Sequence, residues 1–154
     1  MEIIKLHRND IRAALELAWT VFLEFDAPDY SAKGIEEFKK FTSFHSVLER
    51  FDKGEMLFWG CIEEGELIGT IATNNVNHIC LLFVKKEYHR RGAARKLLQQ
   101  VIESCMGNLQ IREITVKSSP FAVEVYRRLG FVERDQEQTV NGMRFTPMAL
   151  KLRQ

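Results

Sequence analysis

A continuous apolar run, followed by an amphipathic stretch and a second strand pattern, most limits how this chain can fold. Residues 79–84 (ICLLFV) are all apolar, which is typical of a strand buried on both faces. Apolar residues then recur at helical spacing from Ala93 to Cys105, and residues 112–119 (REITVKSS) indicate another strand. A strand, a helix and a strand in this order predict two neighbouring parallel strands joined by a right-handed crossover.

Antiparallel strands are predicted on both sides of this unit. Residues 2–8 alternate like a half-buried strand, and residues 56–74 indicate a hairpin. Residues 131–152 indicate a second strand pair, in which Pro147 predicts a bulge because proline donates no hydrogen bond to a ladder. The sequence therefore predicts an α/β fold with a mixed, mostly antiparallel sheet flanked by helices. The two turns are expected at Glu64-Gly65 and Asn141-Gly142.

Three further helices are predicted around the sheet. Residues 11–25 carry apolar side chains at helical spacing, with Asn9 or Asp10 as the N-cap. A second helix is expected to begin within residues 35–44 (IEEFKKFTSF). A third should open at Pro120, which the first turn tolerates, and end at Gly130, where a left-handed cap suits glycine.

Size and charge restrict the class of protein. With 154 residues, we expect residues 1–154 to form a single domain. The formal net charge of +1 argues against a general nucleic-acid binder, so any basic site must be local. No segment has the pattern of a signal peptide or the ~20 apolar residues of a membrane span. We therefore expect a cytoplasmic location, no nucleic-acid partner and no membrane partner.

The three cysteines have no metal-ligand spacing, so no metal is expected. Cys61, Cys80 and Cys105 lie in apolar strand segments or on an apolar helix face, which favours buried thiols in a reducing compartment. A catalytic cysteine is disfavoured because no partner histidine can be singled out.

The junction after residues 79–84 concentrates basic charge around a single glycine. Arg90, Arg91 and Arg95 surround Gly92 where the strand passes into the helix. A helix N-terminus exposes unsatisfied N–H groups and a positive dipole end, so basic residues are unfavourable there unless an anion offsets them. The junction therefore predicts an anion site that Gly92 lets the ligand approach closely. A solvated basic turn is the alternative.

Two common phosphate-binding motifs match this junction poorly. A dinucleotide site needs G-x-G-x-x-G, but Gly92 is the only glycine at the junction. Glu113 lies at about the ~20-residue spacing of that motif's acidic residue, but it begins the next strand instead of ending it. The P-loop pattern G-x-x-x-x-G-K-[ST] is absent.

The junction instead resembles the pyrophosphate motif of the GNAT superfamily of acyl-CoA-dependent N-acetyltransferases, [Q/R]-x-x-G-x-[G/A]. A second stretch, residues 118–131, is similar to the family segment N-x-x-A-x-x-x-Y-x-x-x-G-F, although Ser119 stands where asparagine is usual. The resemblance covers residues 55–152 well and residues 1–54 only in element order. The first motif is His89-Arg90-Arg91-Gly92-Ala93-Ala94, which departs only at His89, and the second segment matches at Ala122, Tyr126, Gly130 and Phe131.

The resemblance implies a GNAT-like sheet whose central parallel strands splay apart, with acetyl-CoA bound in the gap. Backbone groups of the first strand would pair with the amides of the pantetheine arm, and amides of the basic turn would hold the pyrophosphate. Plain core packing is the alternative reading of the strand residues. The expected donor-binding residues are Leu82, Phe83, Val84, His89, Arg90, Arg91, Gly92, Ala93, Ala94, Arg95, Ser119 and Ala122.

The implied chemistry is direct attack of a neutral amine on the thioester within a ternary complex. An N–H near Val84 would stabilise the oxyanion, and Tyr126 would protonate the departing sulfur. The alternative for Tyr126 is an amphipathic core tyrosine. Because amines are mostly protonated at pH 7, a base is also needed. Glu24 and Asp26, with Asp29 nearby, could accept the proton or attract a cationic amine, or they could form a solvated acidic loop.

Several residues have two possible roles, and the acceptor is defined only by its chemical class. His78 is a further base candidate or a strand end, and Tyr30, Phe38 and Phe41 line the acceptor pocket or pack the helices. The acceptor is expected to be a small-molecule or peptide amine, with a homodimer as one allowed assembly. The competing class is a non-catalytic acyl-CoA-binding sensor or interaction module.

Overall fold

The protein is built around one mixed β-sheet. The computed structural model describes residues 1–153 of the chain. Strand order within the described residues is β1-β2-β3-β4-β5-β8-β6, with β7 pairing only with β8. All neighbouring strands are antiparallel except β4 and β5, which are parallel. The strands are β1 Glu2–Lys5, β2 Met56–Glu63, β3 Glu66–Asn74, β4 His78–Val84, β5 Glu113–Ser118, β6 Val132–Glu133, β7 Gln138–Val140 and β8 Met143–Lys151.

Helices cover both faces of this sheet and bury two apolar clusters. One cluster lies beneath α4 and α5 and includes Leu97, Val101 and Tyr126. The other lies beneath α1, α2 and α3 and includes Phe22, Phe38 and Val47. The predicted fold class is therefore confirmed. The helices are α1 Ile11–Phe25, α2 Ala32–Phe41, α3 Phe44–Asp52, α4 Ala93–Cys105 and α5 Val123–Arg128.

The parallel ladder between β4 and β5 is only two residue pairs long. His78 pairs with Thr115 and Ile79 with Val116, and the strands then separate. On the other side of β4, Ala72 pairs with Leu81 while Thr73 pairs with Ile79, so Cys80 is an extra residue that bulges out of the β3–β4 ladder. A bulge bends its strand and increases the local twist. The expected splay of the two central strands is confirmed.

The first helix has its predicted bounds and follows Asp10, one of the two predicted N-cap residues, whereas the next two helices differ from the prediction. The side chain of Asp10 does not cap α1; its carboxylate instead accepts a hydrogen bond from the His7 N–H at 2.8 Å. Helix α2 begins at Ala32, earlier than predicted, because the Ser31 hydroxyl caps it by accepting from the Gly34 N–H at 3.2 Å. The separate short helix α3 was not predicted.

Two predictions about proline are wrong. Pro120 does not open α5, which begins three residues later; the chain first makes a turn in which the Ser119 hydroxyl accepts from the Ala122 N–H at 3.3 Å. Pro147 causes no bulge, and it pairs with Lys117 in unbroken register. The carbonyl oxygen of Pro147 accepts from the Arg134 N–H at 2.8 Å, so the backbone nitrogen and the carbonyl of Pro147 face the β6 side of the strand. Strand β6 has already ended there, at Glu133, so no ladder hydrogen bond is lost for want of an N–H on Pro147.

The start of α2 lies directly against the turn between β7 and β8. A Cβ atom added to Gly34 would lie 2.1 Å from the carbonyl oxygen of Gly142, so only glycine allows this approach. Asn141 and Gly142 both have positive φ, as the predicted hairpin turn requires. The contact ties the segment that follows α1 to the C-terminal hairpin. Among residues 1–153, none of the helices is long and apolar enough to cross a membrane.

Candidate active site

A cleft of about 550 Å³ opens where β4 and β5 separate. Its walls come from the end of β4, the turn and first residues of α4, the start and face of α5, and the end of α1. Most of the predicted donor-binding residues meet there, whereas Arg91 and Ser119 do not line it. The predicted residues that line it are Asp26, Leu82, Phe83, Val84, His89, Arg90, Gly92, Ala93, Ala94, Arg95, Ala122 and Tyr126.

The turn before α4 has the backbone shape that an anion site requires. Arg90 and Gly92 both adopt left-handed conformations, with φ of 62° and 87°. A Cβ atom built on Gly92 would meet no other atom within 4 Å, so the backbone there is open to a ligand. Helix α4 begins at Ala93, and its first N–H groups have no helical acceptor. This turn fits a pyrophosphate group held by backbone amides.

The arginines of the turn are placed differently from one another. The Arg95 guanidinium donates to the carbonyl oxygen of Arg128 at 3.0 Å, which ties the start of α4 to the end of α5. Arg91 lies over the ring of Tyr88, 5.0 Å from its centroid. Arg90 lines the cleft without an ion pair to any carboxylate of residues 1–153. Of the three arginines of the turn, Arg90 and Arg95 therefore border the cleft, as does Arg128 of α5.

His89, the residue that departs from the family pattern, connects the turn to β4. Its Nε2 donates a hydrogen bond to the carbonyl oxygen of Val84 at 2.7 Å, which assigns the proton to that ring nitrogen. The imidazole thus fixes the end of β4 relative to the anion turn.

Tyr126 lines the cleft and is only 5% exposed. Its ring packs edge-to-face on Phe131, with centroids 5.2 Å apart. Burial, together with the negative charge that Asp26 and Cys80 can carry, raises the pKa of the Tyr126 phenol well above its ordinary value. The phenol therefore keeps its proton throughout the working pH range.

Asp26 follows the last residue of α1 and is buried, with 8% of its surface exposed. Its Oδ1 accepts a hydrogen bond from the Ser119 hydroxyl at 3.0 Å, which joins residues 93 positions apart. Burial raises the pKa of the carboxyl to about 6, and the charge of Asp29 adds to this, whereas the hydrogen bond from Ser119 opposes it. Asp26 is thus mostly ionised at pH 7 and ready to accept a proton.

The other acidic candidates lie away from the cleft and have cationic partners. A Glu24 oxygen lies 3.3 Å from the Lys86 ammonium, and Asp29 lies 3.8 Å from the Arg144 guanidinium. His78, the other base candidate, shares a hydrogen bond of 2.8 Å with Thr115. Burial lowers the pKa of His78, with a further contribution from the charge of Lys117. The structure therefore brings only Asp26 of the acidic group to Tyr126.

Sequence reasoning missed several residues that line the cleft, Phe25 and Phe121 among them. Phe25 belongs to the apolar stripe of α1 and Phe121 to that predicted for the last helix, so both were assigned to packing. Within residues 1–153 no cluster of side chains has the composition of a metal site.

Comparison with known proteins agrees with this geometry. A family profile described as "Acetyltransferase (GNAT) domain" matches residues 26–152. The fold is similar to a GCN5-related N-acetyltransferase structure from Rhodopseudomonas palustris, titled "Aminotransferase, Class-II" (TM-score 0.81, 20% identity, 98% of this chain and 95% of that one). It is also similar to the PaiA N-acetyltransferase of Thermoplasma acidophilum in complex with coenzyme A (TM-score 0.77, 24% identity, 97% and 98% covered).

A curated relative matches part of the sequence. UPF0157 protein YqkA of Bacillus subtilis (strain 168) is 32% identical over 89 residues, which cover 56% of this chain and 26% of YqkA. The aligned part therefore spans about a quarter of that relative. The family profile covers most of the chain, and the resemblance seen in the two motifs is confirmed: the protein belongs to the GNAT family of acetyltransferases.

Proposed function

We propose that the protein transfers an acetyl group from acetyl-CoA to a primary amine by direct attack in a ternary complex. The observation that carries this proposal is the presence of Asp26 and Tyr126 in one cleft, which is also lined by the turn before α4 that fits a pyrophosphate. Tyr126 keeps its proton at neutral pH, whereas the carboxylate of Asp26 is mostly ionised and can accept one. Acyl transfer to an amine needs both.

The donor site rests on three parts of the chain. Backbone amides from Arg90 to Arg95 would hold the pyrophosphate, with the side chains of Arg90 and Arg95 adding positive charge. The cleft-lining end of β4, residues 82–84, has no parallel partner on its β5 side and could pair with the pantetheine amides. Bound there, acetyl-CoA supplies the activated acyl group. Ala122 borders the same cleft, whereas Ser119 contributes indirectly, because its hydroxyl contacts Asp26.

Asp26 is our proposed general base and Tyr126 our proposed general acid. Asp26 takes a proton from the incoming ammonium, directly or through water, and the neutral amine then attacks the thioester carbonyl. A backbone N–H near Val84 stabilises the negative charge on that oxygen. Tyr126 donates its proton to the sulfur as the carbon–sulfur bond breaks. Glu24 is not part of this proposal because it pairs with Lys86 outside the cleft.

The proposed acceptor is a small-molecule or peptide amine. We propose further that residues 1–154 form one domain that acts in the cytoplasm, with a homodimer as a candidate assembly. A second candidate function, a non-catalytic acyl-CoA sensor, shares the donor site. The presence of Asp26 and Tyr126 in the same cleft favours catalysis, since a sensor needs neither group.

A panel of amines tests the proposal. Purified protein is mixed with acetyl-CoA and, in turn, with polyamines, amino acids, peptides with free N-termini and lysine peptides, and the release of free coenzyme A thiol is measured. Thiol release that depends on both amine and protein, and is lost in Asp26→Asn, is expected. Binding of acetyl-CoA without turnover of any amine would favour the sensor, and absence of binding would contradict both candidates.

A further inference from the structure

Three aromatic rings form a bridge from one wall of the cleft to the other. Phe25 is the last residue of α1, and its ring centroid lies 5.0 Å from that of His89 and 4.8 Å from that of Phe121. His89 belongs to the turn that follows β4, whereas Phe121 belongs to the turn that precedes α5. All three residues line the cleft. The Phe25 ring therefore borders the space that a ligand in the cleft would occupy.

The two ends of the bridge differ in how they are held. The His89 ring is fixed by its hydrogen bond to Val84 and cannot turn freely. Phe121 is 43% exposed, so a large part of its ring is open to solvent at the cleft. Exposed aromatic surface at a cleft marks a place where a ligand supplies the missing contacts. The bridge thus offers an apolar cover whose inner surface is left for a ligand.

The bridge also adjoins the proposed base along the chain. Asp26 directly follows Phe25, and the Asp26 N–H donates to the carbonyl oxygen of Phe22 at 2.9 Å, which continues the helical turn. The position of the Phe25 ring and the position of the Asp26 carboxyl are therefore set by the same turn of backbone. A ligand that packs under the ring restricts that turn and with it the carboxyl.

We propose that Phe25 is a donor-binding and positioning residue: its ring, braced between His89 and Phe121, covers the pantetheine arm and so fixes Asp26 for catalysis. This inference rests on the proposed function. Pantetheine is a thin chain in which apolar methylene groups alternate with amides, so a flat ring on one side and a strand edge on the other suit it. Covering the arm also excludes water from the site where the thioester reacts.

The test measures how fast coenzyme A leaves the protein. Dissociation from wild-type protein, Phe25→Ala, Phe25→Leu and Phe25→Tyr is followed by stopped-flow displacement, and melting temperatures establish that each variant is folded. Leu23→Ala is the matched control, because Leu23 lies on the same helix, is 45% exposed and does not line the cleft.

Phe25→Ala and Phe25→Leu are expected to raise the dissociation rate about tenfold or more, the effect of losing one buried aromatic contact. At saturating acetyl-CoA their kcat is expected to fall as well, because Asp26 is less firmly placed. Phe25→Tyr, which keeps the ring, should stay near the wild-type rate, as should Leu23→Ala. Should Phe25→Ala melt below the assay temperature, Phe25→Leu decides the outcome.

Two results would overturn the inference, and they are distinguishable. A wild-type dissociation rate in folded Phe25→Leu, or an equal acceleration in Leu23→Ala, removes Phe25 from the donor site and leaves the proposed function standing. Wild-type protein that binds no coenzyme A overturns the inference and the proposed function together.

Discussion

The buried carboxyl of Asp26 lowers the stability of the folded protein at neutral pH, because burial disfavours its ionised form. Burial raises its pKa from an ordinary value of 3.8 to about 6, so the folded protein binds this proton more tightly than the unfolded chain does. The resulting stability is fully present below about pH 4 and is lost as the pH rises through about 6. At neutral pH the ionised group destabilises the fold by up to about 3 kcal/mol. The proposed role in catalysis requires this ionised form.

Replacing Asp26 with asparagine separates stability from activity. Asparagine keeps the shape and can still accept from Ser119, but it has no charge to desolvate. We expect a gain of about 1–3 kcal/mol in the free energy of unfolding at pH 7.5 and no gain near pH 4, measured by urea denaturation. Turnover should fall by about 10²–10⁴-fold.

Glu24→Gln is the control for this prediction, because Glu24 pairs with Lys86 outside the cleft and is not among the charges that raise the pKa of Asp26. It should gain no stability and should keep most of the activity. An Asp26→Asn protein that is less stable than wild type at pH 7.5 would contradict the predicted cost of ionisation.

The second prediction for a single residue concerns the effect on kcat of removing the Tyr126 hydroxyl. In Tyr126→Phe the ring still packs on Phe131, so stability and coenzyme A affinity should change little. A thiolate leaves fairly well unaided, so kcat should fall only about 10- to 100-fold. Single-turnover measurements, which isolate the chemical step, check this against Tyr88→Phe, another tyrosine that lines the cleft. Equal rates in the two variants would assign Tyr126 a packing role alone.

At the scale of elements, patterns of period two and period 3.6 predicted most strands and helices, because each pattern is set by which face the segment buries. Helix α3 was missed because it is short and follows a two-residue break after α2. The pyrophosphate turn could be predicted because its residues are consecutive. The contact between Asp26 and Ser119 could not, since spacing along the chain says nothing of residues 93 apart.

Alanine substitutions at two glycines distinguish the effect of backbone strain on stability from the effect of the turn before α4 on coenzyme A binding. Gly92 and Gly54 have positive φ, 87° and 76°, and a Cβ atom on either would meet no neighbour within 4 Å. Alanine at each position should therefore cost a similar ~1 kcal/mol of stability through backbone strain. Only Gly92→Ala should also weaken coenzyme A binding, because its methyl group projects toward the ligand. Calorimetry that finds the same affinity in both variants would remove Gly92 from the donor site.

At the scale of the whole molecule, the segment after α1 is fixed by its contact with the C-terminal hairpin, more than a hundred residues away. Gly34→Ala would place a methyl group 2.1 Å from the Gly142 carbonyl oxygen, so α2 or the hairpin must shift. We expect a loss of about 1–3 kcal/mol, the usual cost of overpacking. Lys33→Ala, an exposed neighbour in α2, should stay near wild type in the same denaturation experiment. A Gly34→Ala protein of unchanged stability would show that the contact is easily displaced.

The early end of the β4–β5 ladder has a consequence for solubility. A sheet that divides in its middle gains two edges, and an unpaired edge ordinarily recruits strands from other chains and promotes aggregation. Here the edge of β4 faces the cleft, whose other walls include the end of α1 and the start of α5, and Ser118 at the end of β5 is buried. The flanking helices thus occupy the place where a strand from another chain would add.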